Sequence, residues 1–155
     1  MALKSNFNEA QSMRDIDRQA ETLYQKIINS FIYAAEDFIT SAREQIQDHA
    51  MGTYKDQTTN LRNSIGYFIF HDGKLVHENN ENIINKAKTQ EFVKPSGFQM
   101  ILIAGMNYAS YVESKGYNVI SYQADTCMID LAGYLEKLNV IGGGSAARME
   151  ETFIP

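Results

Sequence analysis

The stretch "SIGYFIFHDGKLVHE", residues 64–78, decides the fold. Two runs of β-forming residues flank the dipeptide Asp72-Gly73, and Asp-Gly between apolar runs is the strongest short-range signal for a β-hairpin. With a two-residue turn, Phe68 faces His77 across the hairpin. The sequence therefore predicts a hairpin over about residues 64–78.

Alternation in this hairpin places apolar side chains on both faces of the sheet. One face carries Ile65, Tyr67, Ile69 and Val76, and the other carries Phe68, Phe70 and Leu75. A hairpin with one face in water would alternate apolar and polar residues instead. We therefore expect both faces to be covered, and we expect neighbouring subunits to supply part of that cover.

A long helix precedes the hairpin. Apolar residues recur at steps of three and four from Ile16 to Ile46, which predicts a helix over about residues 13–50. Ser12 is the expected N-cap and Gly52 the expected C-terminal stop. Such a helix would extend ~57 Å, whereas a domain of this size has a radius of gyration of ~15 Å. We expect it either to break near its ends or to reach beyond its own core.

The remaining elements complete an α+β pattern. After a polar loop the sequence predicts a strand over about 99–105, a short helix over 107–115 that Gly116 ends, a strand over 118–122 and a final helix over about 124–139. This order indicates a long N-terminal helix packed on a small, mainly antiparallel sheet with a β-hairpin, plus a short helix and a C-terminal helix. We expect a single domain over residues 1–140. Residues 141–155, with three successive glycines, are expected to form a flexible C-terminal arm.

Composition restricts the possible ligands. The chain has 155 residues and a formal net charge of −5, and it lacks the concentrated positive charge of a surface that binds phosphate backbones. The longest apolar run, residues 100–104, is far shorter than the ~20 residues of a membrane helix, and we expect no secretory signal. The single cysteine, Cys127, is expected to be a buried free thiol.

The best candidate for chemistry is "HDGKLVHE", residues 71–78, because His, Asp and Glu side chains bind metals. In the predicted register, however, His71 and His77 project from opposite faces, and Glu78 pairs ~13 Å from His71. The run "GGGS", residues 142–145, lacks the lysine of a phosphate-binding loop. No serine or cysteine has partners at the spacing of a nucleophile motif. We therefore expect no catalytic residue, no cofactor and no metal site.

The stretch "GMNYASYVESKGY", residues 105–117, surrounds one carboxylate with tyrosines. In the predicted short helix, Tyr108, Tyr111 and Val112 share a face and Glu113 lies on its flank. Tyrosine combines a large apolar ring with a hydroxyl, which suits protein interfaces. The alternative is that these rings fill the protein's own core, and both interpretations stay open at this point.

Two stretches together resemble a known family. Residues 56–70, "DQTTNLRNSIGYFIF", and residues 100–117, "MILIAGMNYASYVESKGY", resemble the "T-G-x-L-R-x-S-I" and "Y-A-x-Y-V-E-x-G" signatures of tailed-phage neck and tail-completion proteins. The matching positions are Thr58, Asn60, Leu61, Arg62, Ser64, Ile65, Tyr108, Ala109, Tyr111, Val112, Glu113 and Gly116. Thr59 stands where the family usually has glycine and Ser110 where it often has proline. The family's "P-F-L-x-P" segment is replaced by "YNVISYQAD".

The resemblance implies a structural role. Proteins of this family form a ring, expected here to be a six- or twelve-fold homo-oligomer, between the capsid portal and the tail of the virion. The implied partners are portal or adaptor, stopper and tail proteins, and DNA passes through the lumen without sequence-specific binding. The implied interface positions are Leu61, Arg62, Ser64, Ile65, Tyr108, Tyr111, Val112, Glu113 and Gly116. The host bacterial cytoplasm would be the place of synthesis.

Among the matching positions, Arg62 and Glu113 are the only charged residues, and they suggest a further contact. We expect Arg62 and Glu113 to pair, within a subunit or across the joint between subunits. Two other functions remain as alternatives. One is a small cytoplasmic enzyme or ligand-binding module with a pocket beside Tyr108, Tyr111 and Glu113, and the other is a homodimeric adaptor that uses the long helix as a coiled-coil seam.

Overall fold

The computed structural model of the chain describes residues 8–47, 59–79 and 89–138 and has the expected α+β class. Its elements in chain order are α1 (Glu9–Gln47), α2 (Asn60–Asn63), β1 (Ile65–His71), β2 (Lys74–Asn79), a 3-10 turn (Gln90–Phe92), β3 (Phe98–Ala104), α3 (Ala109–Ser114) and α4 (Ser121–Lys137). The three strands form an antiparallel sheet in the order β2-β1-β3. Among the described residues, no helix has the length and apolar character needed to cross a membrane. The predicted arm, residues 141–155, lies outside this range.

Helix α1 begins earlier than the sequence predicts. Its N-cap is Asn8, whose Oδ1 accepts a hydrogen bond from the Gln11 N–H at 3.3 Å. Ser12, the predicted cap, lies inside the helix and donates its hydroxyl to the Asn8 carbonyl at 3.1 Å. The prediction was wrong because serine and asparagine are both good caps and the sequence offers both within four residues. The predicted stop at Gly52 lies outside the described residues.

Helix α1 is longer than the core on which it packs. It has 39 residues and therefore extends ~58 Å. Its fully buried apolar residues run only from Ile28 to Ala42, whereas Met13 and Ile16 are 56% and 59% exposed. At its N-terminal end the helix thus reaches beyond its own core. This confirms one of the two expectations stated for it.

The hairpin turn has the predicted two-residue form, but the register of the two strands differs from the predicted one. Asp72 and Gly73 have φ angles of 49° and 75°, which is the type I′ geometry that Asp-Gly favours. Beyond it Val76 forms a β-bulge, so that Ile69 faces His77. Phe68 then faces Glu78 and not His77 as predicted. A bulge adds one residue to one strand and leaves no clear signal in an apolar run.

The central strand β1 is buried on both faces within one chain. Tyr67 and Ile69 face a core formed with α1 and α4, and both are 0% exposed. On the other face Phe68 and Phe70 are each 1% exposed and pack with Ile103 and Val93. The expectation that neighbouring subunits must cover the sheet is therefore wrong for β1. Part of the cover comes from Val93, in a stretch that the sequence analysis treated only as a polar loop.

Polar contacts fix α1 on the sheet and on α4. The Glu36 Oε1 accepts hydrogen bonds from the Tyr67 hydroxyl at 2.8 Å and from the Asn79 side chain at 2.7 Å. On α4 the Cys127 thiol donates to the Ala34 carbonyl at 3.3 Å. Cys127 is 1% exposed, so the prediction of a buried free thiol is confirmed. Two weakly acidic groups, the Tyr67 hydroxyl on β1 and the Cys127 thiol on α4, are therefore buried in the protein.

Burial changes the acidity of both groups. Burial is the largest cause that raises the pKa of the Cys127 thiol from 9.0 to about 12, and the carboxylates of Asp130 and Asp37 also contribute to this rise. Burial and the contact with Glu36 raise the pKa of the Tyr67 hydroxyl well above its ordinary 10.0. Both groups thus stay protonated in the folded chain at pH values where they ionise in the unfolded chain. The unfolded state then binds fewer protons, and stability falls as the pH rises.

We expect the protein to lose stability between about pH 9 and pH 12, the interval over which the Cys127 thiol ionises only after unfolding. The slope should reach about 1.4 kcal/mol per pH unit for each group. Urea unfolding followed by far-UV circular dichroism measures it. Cys127→Ala removes one group and should give a shallower slope. A free energy of unfolding independent of pH over this interval would contradict the argument.

Candidate subunit interface

The two motifs of the resemblance meet in one place in the fold. β1 pairs with β3 so that Ile65 faces Ala104, and the Gly105 N–H donates to the Ser64 carbonyl at 3.0 Å. Leu61, 0% exposed, packs in a small apolar cluster with Ala109 from the second motif. We call this place the motif junction, comprising residues 59–65 and 104–121.

In the first motif, the backbone at Thr59 has an unusual conformation. Its φ is 58° and its ψ is 2°, in the left-handed region. A β-branched residue is strained there, whereas glycine is not. Position 59 is also where the neck proteins usually have glycine. The conformation therefore gives a physical reason for glycine at this point of the motif.

Ser64 and Arg62 occupy different environments in the junction. Ser64 is 8% exposed, and its hydroxyl donates to the Leu61 carbonyl at 2.7 Å. This bond, together with the contact to Gly105, fixes the entry to β1. Arg62 lies half-buried in the last turn of α2. Ser64 is thus a local structural residue, and Arg62 is the basic residue of the first motif.

The tyrosines of the second motif point outward. Tyr108, Tyr111 and Tyr117 are 38%, 63% and 43% exposed, so the alternative that they fill the protein's own core is wrong. Val112 does not share their face as predicted, because it packs inward with the Leu61 and Ala109 cluster. One residue along a helix rotates the side chain by about 100°. At the motif junction the tyrosine rings are therefore exposed, and the apolar residues beneath them are packed in the Leu61 and Ala109 cluster.

Glu113 has a defined partner within the chain, which is the N-terminus of α4. Its Oε1 accepts the backbone N–H groups of Val119, Ile120 and Ser121 at 3.0, 2.8 and 3.1 Å. Its Oε2 accepts the Ser121 hydroxyl at 3.0 Å. These N–H groups have no intrahelical acceptor, and a negative charge there is favoured by the helix dipole. Glu113 is a cap supplied by the preceding helix.

This cap explains why the predicted strand over 118–122 is wrong. Asn118, Val119 and Ile120 lead directly into α4, because Glu113 binds the amides that a strand would have used for pairing. The Asn118 Oδ1 also accepts the Tyr122 N–H at 3.1 Å. Asparagine and serine ahead of an amphipathic run are a helix-start signal, and that signal was available in the sequence. The β-branched pair between them obscured it.

Gly116 ends α3 as predicted. Its φ is 82°, and its N–H donates to the Glu113 carbonyl at 2.9 Å. A Cβ added at this glycine would meet nothing within 4 Å. The position therefore favours glycine because of its backbone conformation and not because of close packing.

The pair between Arg62 and Glu113 stays a prediction. Both carboxylate oxygens of Glu113 already hold the start of α4, so the position of Glu113 within the subunit does not need Arg62. Both forms of the hypothesis, a pair within the subunit and a pair across the joint between subunits, stay predictions.

The hairpin histidines occupy different positions from those predicted. The bulge at Val76 turns His77 to the face of His71, where His77 stacks on Tyr67 at 5.8 Å between ring centroids and His71 stacks on Phe98 at 4.2 Å. The prediction that His71 and His77 project from opposite faces of the sheet was therefore wrong. Within the described ranges no group of three or more His, Cys, Asp or Glu side chains could hold a metal ion.

Comparisons of the chain with protein-family models, with curated proteins and with solved structures give no match. The likeness to the neck proteins accordingly rests on the residues of the two motifs and on their order along the chain.

Replacing Thr59 should reveal the strain at its left-handed backbone. We expect Thr59→Gly to be more stable than Thr59→Ala by about 1 kcal/mol, because both remove the threonine side chain and only alanine keeps the strained Cβ. Urea unfolding of the two variants measures the difference. Equal stabilities, or a more stable alanine variant, would show that the position is not strained.

Removing the Glu113 cap should destabilise the fold. Glu113→Ala leaves the first amides of α4 without their acceptor, and we expect a loss of about 1–2 kcal/mol in the free energy of unfolding. Glu113→Gln keeps one oxygen and should lose less. Glu136→Ala, at an exposed acid near the end of α4, is the matched control and should change little. A Glu113→Ala variant as stable as the wild type would refute the capping role.

Proposed function

We propose that the chain is a structural subunit of the ring that joins the head of a tailed phage to its tail, and that it has no enzymatic activity. The observation that carries the proposal is the motif junction. Residues that match the neck family at two distant points of the sequence lie together there, and Tyr111 on its surface is 63% exposed. Exposed tyrosine side chains are enriched at protein–protein interfaces.

Helix α1 gives further support for assembly. Met13, Ile16 and Leu23 are 56%, 59% and 40% exposed, and their separations of three and seven residues, one and two helical turns, place them along one face. Apolar residues that recur at this spacing mark a helix face that another element normally covers. A ring would supply such cover, because each subunit then presents two different surfaces to its two neighbours.

The charge of the chain fits the passage of DNA. With a net charge of −5, the protein attracts the phosphate backbone only weakly. A channel that DNA crosses without being held requires that property. The proposed ring would therefore surround the DNA and leave it free to move.

A second candidate is a homodimeric adaptor joined through α1. The exposed residues Met13, Ile16 and Leu23 favour it, because their spacing also fits a coiled-coil seam. The two candidates differ in mass and in the surface used. A dimer would depend on α1, whereas the ring would also depend on the motif junction.

We expect Tyr111→Ser to weaken assembly without changing the fold. The matched control is Tyr33→Ser, since Tyr33 on α1 is also exposed, at 61% compared with 63% for Tyr111. Light scattering of the purified chain, alone and with the neighbouring neck proteins, measures the mass. The proposal expects six- or twelve-fold assemblies for the wild type and Tyr33→Ser, and smaller species for Tyr111→Ser. Equal assembly of all three variants, or a dimer sensitive only to changes in α1, would contradict it.

A further inference from the structure

Among the residues that the structure describes, the outer edge of β3 has no partner strand. β3 pairs with β1 on one side, and no other strand of the described residues pairs with it. The Asp72 N–H donates to the Gly97 carbonyl, and the Gly105 N–H donates to the Ser64 carbonyl. Since hydrogen-bonded pairs alternate along an antiparallel ladder, this register directs the amides and carbonyls of one set of residues away from β1, namely Phe98, Met100, Leu102 and Ala104.

The two edges of the sheet differ in how they are protected. The edge strand β2 carries Lys74 and Glu78 and the bulge at Val76, which are devices that prevent another strand from adding. β3 has the sequence "FQMILIA", with no charge and no proline, and its pairing with β1 is regular. All of its side chains except that of Ile103 are only partly buried. Within the described part of the chain, the sheet is therefore open to extension at β3 and protected against it at β2.

We propose that the edge of β3 accepts an extended strand from a second copy of the chain, and that this strand is the C-terminal segment, residues 139–155. In strand addition, backbone hydrogen bonds supply the affinity and alternate side chains occupy the flanking surfaces. The inference does not depend on the proposed phage function. It requires only that two copies meet.

The length and composition of the C-terminal segment point to it as the donor. The described chain ends at Leu138, directly after α4, and continues to residue 155. At roughly 3.3 Å per extended residue the segment can span roughly 55 Å, enough to reach a neighbouring molecule. Its glycines, residues 142–144, permit any direction of departure from α4. The following "SAARMEETFI" has no proline and is longer than the seven residues of β3.

This arrangement uses two different surfaces of each copy. Each chain donates its segment to one neighbour and accepts a segment from another, so the contact is head-to-tail and closes into a ring if the rotation allows. A pair of β3 strands from two copies would instead use the same surface twice and stop at a dimer. These two occupants of the edge are therefore separable by experiment.

Amide hydrogen exchange on the full chain tests whether the edge is filled. The amides of Met100, Leu102 and Ala104 should exchange at least tenfold more slowly in concentrated than in dilute solution. The amides of Ile101 and Ile103 already bond to β1 and should be slow in both. Unchanged exchange at the three outward amides would overturn the proposal. The assembled species that Tyr111→Ser still forms should keep this protection, because the variant changes the tyrosine surface and not the edge of β3.

A complementation experiment identifies the donor. Met100→Pro blocks the acceptor edge, since proline is tolerated where the N–H points away from the ladder, and a second variant replaces residues 146–154 by a glycine-serine sequence of equal length. Each variant alone should be monomeric, and the mixture should form only mixed dimers. If the glycine-serine variant still associates like the wild type, the donor is not the C-terminal segment and the proposal fails. Should Met100→Pro lower the melting temperature, Leu102→Pro replaces it, because the Leu102 N–H also points away from β1.

Discussion

The burial of the central strand β1 is the constraint on which the rest of the structure depends. Its backbone is paired on both edges and its side chains are covered on both faces. Tyr67 and Ile69 need α1 and α4 on one side, and Phe68 and Phe70 need the segment around Val93 on the other. Removing water from so much apolar surface at a single strand supplies much of the driving force for the fold. Helices α1 and α4, the strands β2 and β3 and the segment around Val93 all pack against this strand or pair with it.

The position of the motif junction also depends on β1. β1 follows α2 after Ser64 and pairs with β3, so the two stretches of the resemblance are brought to one end of the sheet. Glu113 then connects α3 to α4 through backbone amides. A carboxylate that seemed unusual among tyrosines is explained by four hydrogen bonds within the chain. The tyrosines remain outward because that inner side is already occupied.

Sequence reasoning predicted the features whose causes are local. The type I′ turn at Asp72-Gly73, the left-handed end of α3 at Gly116 and the buried thiol of Cys127 each depend on a residue's own chemistry. It missed what depends on distant partners. The bulge at Val76 is set by pairing with β1, and the helical start at Ser121 is set by Glu113 from another helix. The outward direction of the tyrosines likewise depended on Val112 packing against Leu61, a contact between stretches far apart in the chain.

The free part of α1 has a mechanical consequence. The helix is continuous from Glu9 to Tyr24, whose ring contacts His71 and Phe98, so its first residues lie ~22 Å from this first contact with the sheet. A continuous helix transmits rotation as a stiff lever, and a tilt of about 5° at the core would move its tip by roughly 2 Å. A small reorientation of the body is thereby enlarged at the far end of α1. Any molecule attached there would be displaced more than the domain itself.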